Sequence, residues 1–185
     1  MKIETCTKGA FSVVGKEGST LDGPGFIQKL WAEANAHFRE VQPLAKKDGT
    51  GNLAGIWGVM SDFSRSFQPW EDHFSKGLYL AGVECADDAQ APEGWTKWKV
   101  PGYEYLRAEA EDEAVFSRVL DYMRANGLSL VGAVQDFSCP ATGKAICCSQ
   151  SESFDPAVFA AAPAGAPGLR PAVLQDGECK ISKTP

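Results

Sequence analysis

Apolar positions along this chain switch repeatedly between alternation and three- and four-residue steps, and each switch marks an element. Phe11, Val13 and Val14 supply a first strand or two within the first twenty residues, with Gly15 and Gly18 read as turns or bulges. Phe26, Ile27, Leu30, Trp31, Ala34, Phe38 and Val41 then form one apolar stripe. It predicts a helix that begins near Gly23-Pro24, carries the proline in its first turn and ends at Pro43. A loop over 46–52 leads to a buried strand over 53–60. The polar, aromatic-rich segment 61–76 reads as a mobile rim.

Residues 77–110 read as two short strands, a loop with the acidic pair Asp87-Asp88, and a strand pair crowded with aromatics. Alternation puts Tyr79, Ala81 and Val83 on one side of a sheet, Trp95 and Lys97 on one side of theirs, and Tyr103 with Tyr105. A second helix carries Phe116, Val119, Leu120 and Met123 and closes at Asn126-Gly127, a natural left-handed cap. Two last strands, 130–137 and 144–149, are joined by a Pro- and Gly-containing turn. The second half repeats the plan of the first, which suggests an internal duplication. From Ser151 the composition turns to Ala and Pro. The chain therefore divides into a domain over 1–150 and a tail over 151–185, extended or disordered in part.

Composition narrows the function classes. At 185 residues the chain suits one domain with a real core. A formal charge of −6 and a pI near 5.0 argue against direct nucleic-acid binding, which needs a basic stripe, and no helix pair with a basic face is evident. No apolar run approaches the ~20 residues that span a bilayer, and MKIETCTKGAF lacks the order of a secretory signal. A cytoplasmic protein without membrane contact is expected, with its six cysteines reduced. The cysteines show no C-x-x-C spacing, His37 and His73 have no spaced partner, and no phosphate loop occurs. No metal or other cofactor is expected.

The ordered motifs carry a resemblance. GPGFIQKLWAEANAHF (23–38), LAGIWGVMSD (53–62), YLAGVE (79–84), PEGWTKWKVPGYEYLRAEAE (92–111), FSRVLDYMRANGL (116–128) and VQDFSCPATGKA (134–145) occur in an order and spacing that resemble the bacterial GyrI-like family. These are the stand-alone relatives of the effector-binding domains of AraC-type and multidrug-sensing transcription activators. The resemblance implies an α+β fold: tandem strand-helix-strand-strand units forming a curved antiparallel sheet, two helices on its outer face, and a central cleft. It also implies binding of lipophilic or polyaromatic compounds, often cations, by aromatic walls and a buried glutamate.

Carried onto this chain, the pattern names Trp57, Tyr79, Trp98, Tyr103, Tyr105, Gln135 and Phe137 as candidate ligand-binding residues, core packing being the competing role for each aromatic. Relatives commonly place a glutamate where this chain has Gln135. A glutamine has a donor and an acceptor but no charge, which favours a neutral polar ligand over a cation. Some relatives hydrolyse strained cyclopropane-bearing electrophiles, which needs a base. Glu84, Asp62 and Asp136 are the weak candidates. Alternation makes Tyr79 and Glu84 mutually exclusive in the cleft, keeps Glu104 opposite its flanking tyrosines, and turns Asp136 away unless a bulge intervenes. Three readings follow: a stand-alone effector-binding domain without chemistry, a detoxifying hydrolase, or a protein-interaction module of the gyrase-inhibitor kind with a protein partner.

Overall fold

The computed structural model describes residues 2–109, 112, 114–139 and 143–151. Its elements are β1 (Ile3–Lys8), β2 (Phe11–Ser19), α1 (Phe26–Ala36), β3 (Ile56–Ser61), α2 (Glu71–Phe74), β4 (Leu78–Cys85), β5 (Thr96–Val100), β6 (Tyr103–Glu109), α3 (Val115–Ala125), β7 (Ser129–Cys139) and β8 (Gly143–Ser151). All eight strands form one antiparallel sheet in the order β1-β6-β8-β7-β3-β4-β2-β5. The α+β class and the tandem units are as predicted. β2-α1-β3-β4 and β6-α3-β7-β8 are the two strand-helix-strand-strand units, and they meet where β3 pairs with β7.

β1 and β5 each cross to the outer edge of the other unit. Only Gly9 and Ala10 separate β1 from β2, although these strands lie towards opposite ends of the strand order. The sheet must therefore curl until its ends approach. The two crossing segments touch: a Cβ on Gly102 would stand 2.9 Å from the Ala10 nitrogen.

α1 begins at Phe26, later than the apolar stripe suggested, because Gly23 (φ 85°) and Gly25 (φ 76°) hold left-handed backbone that no helix can include. Pro24 thus lies before the helix. The end of the stripe runs through two 3₁₀ turns, Phe38–Glu40 and Gln42–Leu44. Gly127 (φ 66°) follows α3 as the expected left-handed cap. Gly15 and Gly18 are neither turns nor bulges; both lie within the β2–β4 ladder, Gly15 opposite Gly82 and Gly18 opposite Tyr79. Gly18 is small because Leu30 of α1 packs onto it.

Strand alternation divides the core in two. On the outer face Val14, Met60, Ala81, Val83, Leu106 and Ile146 pack with residues of α1 and α3. On the inner face Phe11, Val13, Trp57, Val59, Leu80 and Trp98 pack with no helical residue among them. One outer contact spans the seam between the units. The Tyr79 hydroxyl accepts from Trp31 Nε1 of α1 (3.1 Å) and donates to Asp136 Oδ2 of β7 (2.8 Å). To reach β7, Tyr79 crosses over Gly58 of β3, where any Cβ would land on the phenol oxygen.

Gly58→Ala should therefore displace Tyr79 and break both hydrogen bonds. We expect a loss of about 2–4 kcal/mol, combining overpacking with a broken buried network, read as a lower urea midpoint at unchanged slope. An unchanged midpoint would contradict this packing.

Candidate functional site

The inner face is a row of rings on a floor of small residues. β3 and β7 pair Trp57 with Phe137, and the next positions along that row are Gly82 and Gly15. These glycines let the β2 and β4 backbones approach closely, and a Cβ on Gly82 would land on the Val14 oxygen. The Trp57 indole lies over Gly55, with ring centroids 4.7 Å from Phe11 and 4.6 Å from Phe137. Lys8 Nζ lies 4.5 Å from the Phe11 centroid and 5.5 Å from that of Trp57, a cation–π arrangement. Glu84 holds the lysine there, accepting from Lys8 (2.9 Å) and from Lys46 (3.2 Å). Further along the sheet Tyr103 and Tyr105 meet edge to face at 5.7 Å, with Cys147 nearby and Ser149 opposite Tyr105. Burial pushes the Tyr105 phenol well above its usual range, and the Cys147 thiol up to about 12, so neither ionises at neutral pH.

Segment 62–68 closes over this face. Phe67, at φ 59°, turns its edge to the Trp98 ring at 5.9 Å, and its carbonyl accepts from Ala133 N (2.8 Å). Arg65, at φ 57°, pairs with Glu17 at 2.5 Å, and the other Glu17 oxygen accepts from Trp98 Nε1 at 2.8 Å. Left-handed backbone at two bulky residues costs energy and needs support. Asp62 supplies it, accepting from the Ser61 and Ser64 hydroxyls and from the amides of Ser64, Ser66 and Gln68. Burial alone would raise the Asp62 pKa; the hydrogen bonds from Ser64, Ser61, Ser66 and Gln68 outweigh it and hold the carboxyl at about 2. The expected mobile rim is thus a pinned cover.

The inner face brings together Trp57, Trp98, Tyr103, Tyr105, Gln135 and Phe137. Tyr79 does not join them. It belongs to the outer core, beneath α1, because β4 turns Leu78, Leu80 and Glu84 inward and Tyr79, Ala81 and Val83 outward. Gln135 is fully buried but already engaged: its Oε1 accepts from Met60 N (2.9 Å) and its Nε2 donates to Ala133 O (3.2 Å). It stitches β3 to β7 just after the register shift between Leu130 and Val134.

The three candidate acids each have other partners. Glu84 faces inward but is tied to two lysines, Asp62 pins the cover, and Asp136 points outward to Tyr79. The bulge that could have turned Asp136 inward lies upstream, before Val134. Lys8, Phe11, Glu17 and Phe67 entered no sequence-based list. Phe11 and Glu17 share the parity of Val13 and were legible by alternation; Lys8 and Phe67 act through contacts distant in sequence.

A hollow of about 650 Å³ lies on the outer side at the start of α1 against Pro24, Phe26, Trp70 and Phe74. It contains none of the predicted site residues. Among the described residues no group of three or more His, Cys, Asp or Glu side chains could hold a metal ion, and no helix is long and apolar enough to cross a membrane.

Neither a family model nor a curated protein matches this sequence. Solved structures do. SAV2435, described as bound to tetraphenylphosphonium, superposes with a TM-score of 0.55 at 17% identity, over 82% of this chain and 94% of its own. The EcmrR C-terminal domain gives 0.53 at 8% identity, over 82% and 98%. This chain shares their fold. At such identities the likeness reaches the curled sheet and its helices, while the site stands on its own geometry.

The outward Asp136 has a measurable signature. Burial pushes its carboxyl up to about 7, the hydrogen bond from Tyr79 opposing only part of the rise. In the unfolded chain it ionises near 4. Its contribution is therefore greatest below about pH 4 and is lost as pH rises towards 7, because the unfolded chain releases the proton first. Asp136→Asn keeps an acceptor for Tyr79 and removes the titration. Urea unfolding at pH 5 and pH 8 should show the variant gaining on the parent at the higher pH, by something on the order of 2–4 kcal/mol. A constant difference would contradict the burial of this group.

Proposed function

We propose that this protein binds a lipophilic aromatic small molecule on the inner face of its sheet, as an effector-binding domain of the GyrI-like kind, without chemistry. The observation that carries the reading is the ring set of Trp57, Phe11, Phe137, Trp98, Tyr103 and Tyr105 on a face that no helix of the described residues covers. Among the described residues the layer over this face is the short segment 62–68, held by the Asp62 hydrogen bonds, by Ala133 N donating to the Phe67 carbonyl and by the exposed Arg65–Glu17 ion pair. The ligand of SAV2435, the lipophilic aromatic cation tetraphenylphosphonium, supports the aromatic part of the reading. So does the fold shared with the EcmrR C-terminal domain, both neighbours being GyrI-like.

Hydrolysis of an electrophile is disfavoured because a general base must reach the substrate. Asp62, Glu84 and Asp136 are committed to the cover, to two lysines and to Tyr79.

Binding requires segment 62–68 to lift, since Phe67 is packed against the Trp98 ring that a ligand ring would contact. Closure then competes with the ligand, and the apparent affinity falls by the fraction of molecules that are open. Arg65→Ala removes the exposed latch to Glu17. Tryptophan-fluorescence titration with planar polyaromatic probes should give saturable binding, several-fold tighter in the variant. Ligand at ~100 times its dissociation constant should add about 2.7 kcal/mol to stability. No saturable change with any probe would overturn the reading. Weaker binding in Arg65→Ala would show instead that the cover is part of the site.

A further inference from the structure

The inner face contains three buried polar atoms that have no hydrogen-bond partner among the described residues: Trp57 Nε1, the Tyr105 hydroxyl and Ser149 Oγ. Their residues are 4%, 1% and 0% exposed. Leaving one such group unpaired costs about 1–3 kcal/mol, and folded proteins contain few. All three belong to strands of the proposed binding face. Two of them, Tyr105 and Ser149, stand directly opposite each other in the β6–β8 ladder. A Cβ on Gly132 would stand 2.8 Å from Ser149 Oγ and 3.1 Å from the Tyr103 hydroxyl, so the hydroxyls of this end converge on a position without a side chain. Trp57 Nε1 belongs to another row of the sheet, beside Gly55 and Phe137. An indole N–H can only donate, and a hydroxyl can donate to any oxygen presented to it.

The charges of the face point the same way. Its carboxylates are already matched, Glu84 to Lys8 and Lys46, and Glu17 to Arg65 and the Trp98 indole. The cation–π position over Phe11 and Trp57 is already held by Lys8. An incoming cation would meet that ammonium beside the rings and find no free carboxylate on this face among the described residues. An oxygen acceptor would meet unpaired donors and a positive charge.

We infer that the ligand of this face is a neutral aromatic compound carrying an acceptor oxygen for the facing Tyr105 and Ser149 hydroxyls, and that lipophilic cations are rejected. The inference rests on the proposed binding role. It reaches the neutral preference expected from Gln135 through other groups, since the polar atoms of Gln135 are already spent on Met60 and Ala133.

The test uses the full chain with three probes: anthraquinone, with two opposed carbonyl oxygens; anthracene, with the same outline and none; and tetraphenylphosphonium. Anthraquinone should bind roughly ten-fold or more tightly than either of the others. Tyr105→Phe and Ser149→Ala should each weaken anthraquinone binding by several-fold. Neither should lower the melting temperature of the free protein, because each deletes an unpaired buried group. This pairing of lost affinity with kept or raised stability is a result that a packing role would not produce. Lys8→Met, which leaves Glu84 partly unmatched, should shift the preference towards tetraphenylphosphonium. Equal binding of anthracene and anthraquinone, or tighter binding of the cation to the parent protein, would overturn the inference and leave the binding role standing. Failure of all three probes would overturn both.

Discussion

The register in which β3 meets β7 governs the rest of this molecule. Side chains alternate with a period of two, so a one-residue slip along a strand would exchange its faces. The pairing Trp57–Phe137 and Gly58–Asp136 sends two rings inward and one carboxyl outward. Tyr79 locks that choice from the neighbouring strand by crossing Gly58 to hydrogen-bond Asp136, and Trp31 extends the lock to α1. Gln135 closes the same seam from its inner side. The joint between the two halves is thus held by polar contacts of specific geometry, while apolar packing fills the remainder of both layers.

Alternation and helical spacing made most of the architecture legible. The duplicated strand-helix-strand-strand plan, the second helix with its Gly127 cap, and the division of Cys147 and Cys148 between the two cores could be read from local pattern. What local pattern could not give was context. Gly15, Gly18 and Gly58 read as breaks or as nothing, because the sequence does not reveal that a facing glycine, a leucine of α1 or a tyrosine of the neighbouring strand needs the space. Tyr79 was grouped with the inner aromatics although its alternation with Glu84 already made the two exclusive, and the ion pairs to Lys8 and Lys46 settle which one turns inward. The cover over 62–68 looked like a mobile rim, since polarity does not distinguish a loose loop from one whose amides converge on an aspartate.

The same constraint explains why the inner face is poised rather than inert. A sheet curled by the Gly9–Ala10 and Gly102 crossing must fill its inner side with large side chains, and tryptophan and tyrosine bring polar atoms with them. In an ordinary core those atoms find partners, as Trp31, Trp70 and Trp95 do with Tyr79, Leu78 and Glu40. Trp98 finds Glu17, whereas Trp57 finds none among the described residues. The cover holds left-handed backbone at Arg65 and Phe67 and is tied down by Asp62, by the Ala133 and Ser61 hydrogen bonds to Phe67 and by one exposed ion pair.

The five tryptophans report directly on which face receives a ligand. Trp57 and Trp98 belong to the inner core, and Trp31, Trp70 and Trp95 pack on the outer one. With indole nitrogens labelled and assigned by single Trp→Phe changes, a titration with an aromatic ligand should move the Trp57 and Trp98 resonances and leave the other three in place. Shifts centred on Trp70, beside the outer hollow, with Trp57 and Trp98 unmoved, would contradict the account.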